Sequence, residues 1–347
     1  MPSSRRSRPT APTSRDVARL AGVSVATVSF VMNGRDSRRV SPQTRERVLA
    51  AAESLAYAPN QSARNLRRRR TQRIALVVGS IGVPAYDELA IDLHAAAEEA
   101  GYVVITLLVN SQKRAEKILQ LLHERIADGA VIAASVPHIS EEDLVGLARR
   151  GLPLVVMSNT VRAEGFDVVR APEAAACGEA LDHLFRTGRR RIAFVGHAHE
   201  SSPVPPGRMS ERRSAYVQAL ERHGVPSSEQ IIVPGADSRV EGYRAVTKLL
   251  SLPQPPDALF VASDRAAISA IHAIVDSGRR VPDDIAVVGV GNLEEGTITR
   301  PRLSTVGPLT KDYADVGRLL FERVLGDEPL PGREHLTTWT FIRRDSA

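Results

Sequence analysis

The stretch Thr13-Ser14-Arg15-Asp16-Val17-Ala18-Arg19-Leu20-Ala21-Gly22-Val23-Ser24-Val25-Ala26-Thr27-Val28-Ser29-Phe30-Val31-Met32 spells two short helices around a tight turn. Thr13 can cap a helix whose third position is Asp16, a Thr-x-x-Asp variant of the capping box, with Val17, Leu20 and Ala21 as its apolar stripe. Gly22 tolerates a positive φ and stops that helix, and Ser24 is placed to cap a second one running from Val25 to about Met32. Two short helices joined by a glycine-containing turn form the helix-turn-helix pattern. Asn33-Gly34 ends the second helix and 35–40 reads as a loop. Ser41-Pro42 then opens a third helix with a cap and a first-turn proline, continuing through Val48, Leu49, Ala52 and Leu55.

Charge separates this head from the rest of the 347 residues. Residues 1–70 carry 15 Arg and no Lys against four acids, a net +11, while the remainder holds 31 bases and 36 acids, a net −5. A basic head on a mildly acidic body is the footprint of a nucleic-acid binder, because arginines on phosphates release counterions. Residues 1–12 are expected to be a disordered basic tail. They lack the apolar stretch of a secretory signal, and no apolar run reaches the roughly 20 residues of a membrane span, so a cytoplasmic, non-membrane protein is expected. The single Cys177 forms no internal disulfide and has no metal or thiol chemistry suggested around it.

From Arg73 onward the grammar changes. Apolar runs at 74–78, 103–108, 129–133 and 154–157 alternate with helical stretches at 89–100, 115–126 and 143–150. A second series sets strands at 192–195, 231–233, 258–261 and 286–290 among helices at 174–186, 212–223, 240–250 and 266–277. Continuous apolar strands alternating with helices predict parallel sheets covered on both faces. The expected fold is thus a small all-α helix-turn-helix domain (13–58), a hinge or linker (59–72), and a bilobed α/β domain of two doubly wound sheets (73–347). Its first lobe is placed at 73–171 and 303–325, its second at 172–302 and 326–347.

These residues resemble the LacI/GalR family of bacterial transcriptional regulators over 13–344. The match rests on Asp16-Val17-Ala18, Ala21 through Ser29, Asn33-Gly34, Val40-Ser41, Thr44-Arg45, Tyr57-Ala58-Pro59-Asn60 and Ala63-Arg64-Asn65-Leu66. The resemblance implies a periplasmic-binding-protein-like sensor, a homodimer, a palindromic double-stranded operator and a small-molecule effector between the lobes, in a regulator expected to repress. It makes Val25, Ala26 and Phe30 base-facing and Thr27, Ser29, Asn33, Arg39, Ser41 and Thr44 phosphate-facing. Thr13 and Ser24 at the helix caps and Asn60, Ala63 and Leu66 in the hinge complete the DNA set, with Leu66 as a minor-groove wedge. Val25 and Ala26 can touch thymine methyls but cannot hydrogen-bond guanine.

For the effector, the resemblance points to Tyr86 in the loop after the first strand, Arg212 and Asp264. Ser158, Asp237 and Gly291 depart from the family pattern, standing where an aspartate, an aromatic and a second aspartate are usual. A sugar or sugar derivative in an altered pose is expected, the alternative being a sensor that answers to another metabolite or to a protein partner. No cofactor is expected, and the enzyme reading is disfavoured. Gly289-Val290-Gly291 lacks the third glycine of a dinucleotide fingerprint, and His197-Ala198-His199-Glu200 lacks metalloprotease spacing. A transporter's solute-binding protein would carry a signal sequence and no basic head.

Overall fold

The computed structural model describes residues 12–32, 40–57, 70–133, 138–201, 210–310 and 313–347, without the side chains of His199 and Ser201. They fall into two units divided after Thr71.

In the first unit, α1 (Ser14–Ala21), α2 (Val25–Met32) and α3 (Pro42–Ser54) enclose a core of Val17, Ala18, Ala21, Val28, Val31, Val48, Ala51 and Ala52. Gly22 takes φ +64°, and the amides of Gly22 and Val23 bond back to Arg19 and Ala18, the double closure of a Schellman motif. Ser24 Oγ accepts the Thr27 amide at 3.1 Å and Ser41 Oγ the Thr44 amide at 3.2 Å, which start α2 and α3. Leu20, expected on the apolar stripe of α1, is exposed, as is Leu49 on α3. Ala18 and Ala51 lie in the core, beside Val17 and Val48.

In the second unit, β1 (Arg73–Val78), α4 (Pro84–Glu99), β2 (Val103–Leu108), α5 (Gln112–His123), β3 (Gly129–Ile132), α6 (Glu141–Arg149), β4 (Leu154–Met157) and β5 (Asp167–Arg170) build the first lobe. The second lobe follows with α7 (Ala174–Arg186), β6 (Ile192–Gly196), α8 (Glu211–Arg222), β7 (Ile231–Pro234), α9 (Arg239–Leu250), β8 (Ala258–Val261), α10 (Asp264–Asp276), β9 (Ala286–Val290) and β10 (Ser304–Gly307). The chain ends with α11 (Ala314–Leu325), β11 (Glu334–Leu336) and β12 (Thr340–Ile342). The sheet orders are β11-β5-β4-β3-β1-β2, all parallel, and β12-β10-β9-β8-β6-β7, parallel except for β12.

This topology corrects the expected lobe boundaries. Residues 304–307 belong to the second sheet, so 303–325 does not fall wholly in the first lobe; only α11 does, packed on α4, β3 and β4. Residues 334–336 pair with β5 of the first sheet, so 326–347 is not wholly in the second. The chain therefore passes between the lobes three times, after β5, after β10 and after β11. Gly317 allows the α4–α11 packing, since a Cβ there would meet the Ala96 methyl at 2.7 Å.

Buried ion pairs stitch these returns. Asp167, fully buried on β5, accepts from Arg323 of α11 at 2.7 and 3.0 Å and from Arg333 beside β11 at 2.9 and 3.1 Å. Burial alone would raise its pKa, but the two guanidinium groups prevail and hold the carboxyl down at about 2.

Candidate functional site

Two surfaces concern function, one on each unit. On the first, α2 turns Val28 and Val31 inward and leaves Val25, Ala26 and Phe30 exposed on the opposite side. A helix with one apolar stripe in the core and apolar side chains still facing solvent has surface left for contact with another molecule. Around it stand the hydroxyl pairs of the two caps, Ser24 Oγ with Thr27 Oγ1 at 2.9 Å and Ser41 Oγ with Thr44 Oγ1 at 2.9 Å. They sit at helix N-termini, where unsatisfied amides favour anions. At the start of α1, Thr13 donates its amide and hydroxyl to Asp16 at 2.9 and 2.7 Å, lowering the Asp16 pKa. Ser29 lies half-buried on α2. Asn33, Arg39, Asn60, Ala63 and Leu66 lie outside the described residues.

On the second unit, strand order reverses between β1 and β3 in one sheet and between β6 and β8 in the other, which opens crevices at the carboxyl ends of those strands. The two lobes meet there. Arg265, in the first turn of α10, donates Nη1 to the carbonyl of Gly82 after β1 at 2.5 Å. Tyr86 lies in the first turn of α4 rather than in the preceding loop. Burial raises its phenol pKa, opposed by the charge of Arg212 from the other lobe.

Arg212 is not a free fork. Its Nε and Nη2 grip both oxygens of Glu173 at 2.8 Å each, and Nη1 donates to the carbonyl of Ala262 at 2.6 Å. Burial disfavours the charge, but the Glu173 carboxylate more than compensates and raises the Arg212 pKa. Three of its five N–H donors are thereby used.

Asp264 does not present its carboxylate to the crevice as expected. It is 1% exposed, accepting the Thr305 hydroxyl at 2.6 Å and the Leu293 amide at 2.7 Å. It pins the loops after β8 and β9 to β10. Gly289 is required beneath it, since a Cβ there would lie 2.2 Å from Oδ1. Gly291, at φ +133°, follows in the same loop.

The departures from the family pattern hold loops as well. Asp237 accepts from His197 Nδ1 at 3.1 Å and from the Ala198 amide at 2.7 Å. Ser158 Oγ accepts the Thr160 and Val161 amides at 3.2 Å each, a turn that shapes the end of β4. The reading by motif missed Glu173 and Arg265. Nothing local marks either one: Glu173 is 39 residues from its partner, and Arg265 gains its place only by crossing to the other lobe. A groove of about 870 Å³ between α7 and α8 lies on the outer face, where Asp182 is already paired with Arg222 at 3.1 Å and His223 at 2.9 Å.

Comparison with known proteins joins the two surfaces. The family of bacterial regulatory proteins, lacI family, matches residues 13–60, and a periplasmic binding protein-like domain matches 181–347. Catabolite control protein A of Priestia megaterium is 32% identical over 316 residues, 90% of this chain and 92% of that protein. The HTH-type transcriptional regulator CelR of Thermobifida fusca is 32% identical over 343 residues, 96% of this chain and 97% of that one. Among solved structures, a transcriptional regulator CelR–cellobiose complex aligns with a TM-score of 0.66 at 28% identity, covering 97% of this chain and 100% of that chain. The Lac repressor dimer bound to operator and the anti-inducer ONPF aligns with a TM-score of 0.74 at 23% identity, covering 97% and 99%, a likeness of fold.

Proposed function

This chain belongs to the lacI family of bacterial DNA-binding transcriptional regulators, and from that premise we propose that it represses transcription as a homodimer on a palindromic operator, under control of a small polar effector held between its lobes. The observation that carries the DNA half is α2, with Val28 and Val31 in the core and Val25, Ala26 and Phe30 exposed behind paired cap hydroxyls. Val25, Ala26 and Phe30 would read base edges in the major groove by apolar contact, and Ser24, Thr27, Ser29, Ser41 and Thr44 would set the docking on phosphates. Such a surface discriminates weakly among bases. Leu66 of the hinge is the proposed second reader, wedging between base pairs in the minor groove.

The sensing half rests on the contact of Arg265 with Gly82 across the crevice, beside which the Arg212 charge of one lobe is felt by Tyr86 of the other. Residues 13–58 are proposed as the DNA module, 59–72 as the hinge, and 73–347 as the part that dimerises and senses. A sugar or sugar derivative is the favoured effector class, in keeping with the cellobiose in the CelR complex. An effector changes operator affinity only by binding the two lobe arrangements unequally.

Selection of bound duplexes from a random pool by the full chain, repeated with a metabolite panel, tests this reading. A palindromic consensus whose occupancy changes with one metabolite is the expected result. Enrichment of no sequence would refute it.

A further inference from the structure

We infer that the effector of this chain carries an acidic group, a carboxylate or a phosphate, which Arg265 binds together with the remaining donors of Arg212. The inference rests on the crevice being the effector site, as proposed above, and adds the chemical class of what enters it.

The argument is an inventory of donors and acceptors at the strand ends. The acceptors there are already engaged in holding loops. Both oxygens of Asp264 bind Thr305 and Leu293, and both of Asp237 bind His197 and Ala198. Both of Glu173 bind Arg212, Ser158 Oγ takes two amides, and the Asn159 side chain is bonded at both ends to the backbone of Ala171 at 2.8 Å. Gly291 offers no side chain at all.

The donors are in surplus. Arg265 uses one N–H, on Gly82; no carboxylate lies within ion-pair distance of it among the described residues, and its buried Nε has no hydrogen-bond partner. Arg212 keeps two N–H donors. The two guanidinium groups flank the same strand end, since Arg212 bonds the carbonyl of Ala262 and Arg265 lies three residues further on, in the positively poled first turn of α10.

Each hydroxyl of a neutral polyol brings a hydrogen along with its acceptor lone pairs, so accepting from the guanidinium N–H groups would leave hydroxyl hydrogens facing acceptors that are already engaged. An oxyanion brings acceptors only, in the planar or tripodal spread that matches a guanidinium fork. It would take over from, or sit beside, the neutral carbonyl of Gly82.

Calorimetry on the full chain at constant ionic strength would compare glucose with gluconate and glucose 6-phosphate, galactose with galacturonate, and ribose with ribose 5-phosphate. Acetate and inorganic phosphate serve as controls. At least one acid should bind about tenfold or more tightly than its neutral parent, with Arg265→Gln removing that preference and Arg265→Lys keeping part of it. The carboxylate and phosphate arms identify which oxyanion is read. If no acid outbinds its parent, or if the preference survives Arg265→Gln, the inference is overturned. The double replacement Arg212→Met with Glu173→Met separates this from failure of the site itself. Binding lost in that variant but untouched by Arg265→Gln keeps the crevice and discards the acid; binding untouched by both places the ligand elsewhere.

Discussion

The hydroxyl of Thr305 on β10 donates to Asp264 Oδ1 at 2.6 Å, locking the start of α10 to a strand 41 residues away. Asp264 is therefore a buried organiser of the crevice floor. Thr305→Val should cost about 1–3 kcal/mol of stability by leaving a buried carboxylate oxygen short of a donor. Asp264→Ala, which also frees the Leu293 amide, should cost more. Thermal melts measure both, and unchanged melting in either variant would contradict the organising role.

Acid stability should depend on Asp167. Its folded pKa of about 2 lies below the ordinary 3.8, so its stabilisation is complete above about pH 5 and is lost as pH falls through the window from 4 to 2. At neutral pH the shift corresponds to roughly 2 kcal/mol. Asp167→Asn leaves the buried Arg323 without a carboxylate partner, while Arg333 keeps Glu322, and should cost about 3–5 kcal/mol at pH 7 while flattening that acid limb. Urea midpoints recorded from pH 7 to pH 3 would reveal a limb of unchanged steepness if the assignment is mistaken.

Arg212→Ala leaves Glu173 buried without its partner and should lower stability by about 3–5 kcal/mol. Removing both charges together, as Arg212→Met with Glu173→Met, should recover most of that loss. Additive single costs in this double-mutant cycle would mean that the two side chains are not energetically coupled.

On the DNA side, Thr27→Ala and Thr44→Ala should weaken binding about equally across sequences, after allowance for the loss of hydroxyl pairing at the caps. Val25→Ser or Phe30→Gln should instead change the preferred sequence. Competition binding against a mixed operator library distinguishes the two behaviours. Altered preference in the threonine variants would reverse the assignment.

Leu66→Ala should reduce operator bending and lower specific affinity by a few kcal/mol, with little effect on non-specific binding, because the cost of unstacking is offset only when the wedge enters. Equal bending by variant and parent in a phasing gel would eliminate the wedge.

What the sequence made legible was punctuation and apolar runs. Gly22, Ser24 and Ser41-Pro42 mark the starts and stops of three helices, and eight strands show as continuous aliphatic stretches. Four strands escaped notice: β11 and β12, which bury no residue fully, and β5 and β10, whose buried residues include polar ones. β5 begins with Asp167 and β10 with Ser304-Thr305, and each is satisfied by a partner 40 or more residues distant: Arg323 for Asp167, the Arg344 amide for Ser304, Asp264 for Thr305. Hydropathy cannot see such compensation, because the partner exists only in the folded chain. The same blindness explains the crevice. Arg212, Asp237 and Asp264 are the residue types a ligand needs, but the same chemistry lets them bind their neighbours, and no local pattern separates the two uses.

The threefold passage between the lobes bears on how the protein is made. Neither lobe is complete when residue 303 has been synthesised: the first still lacks α11 and β11, the second β10 and β12. At about 5–20 residues per second, the final stretch takes several seconds more, during which two open sheet edges wait on the ribosome. The two halves cannot mature in sequence as independent modules. A chain cut short by a late stop codon would carry an intact DNA-binding head on an unfinished second unit, a substrate for chaperones and proteases rather than a regulator frozen in one state.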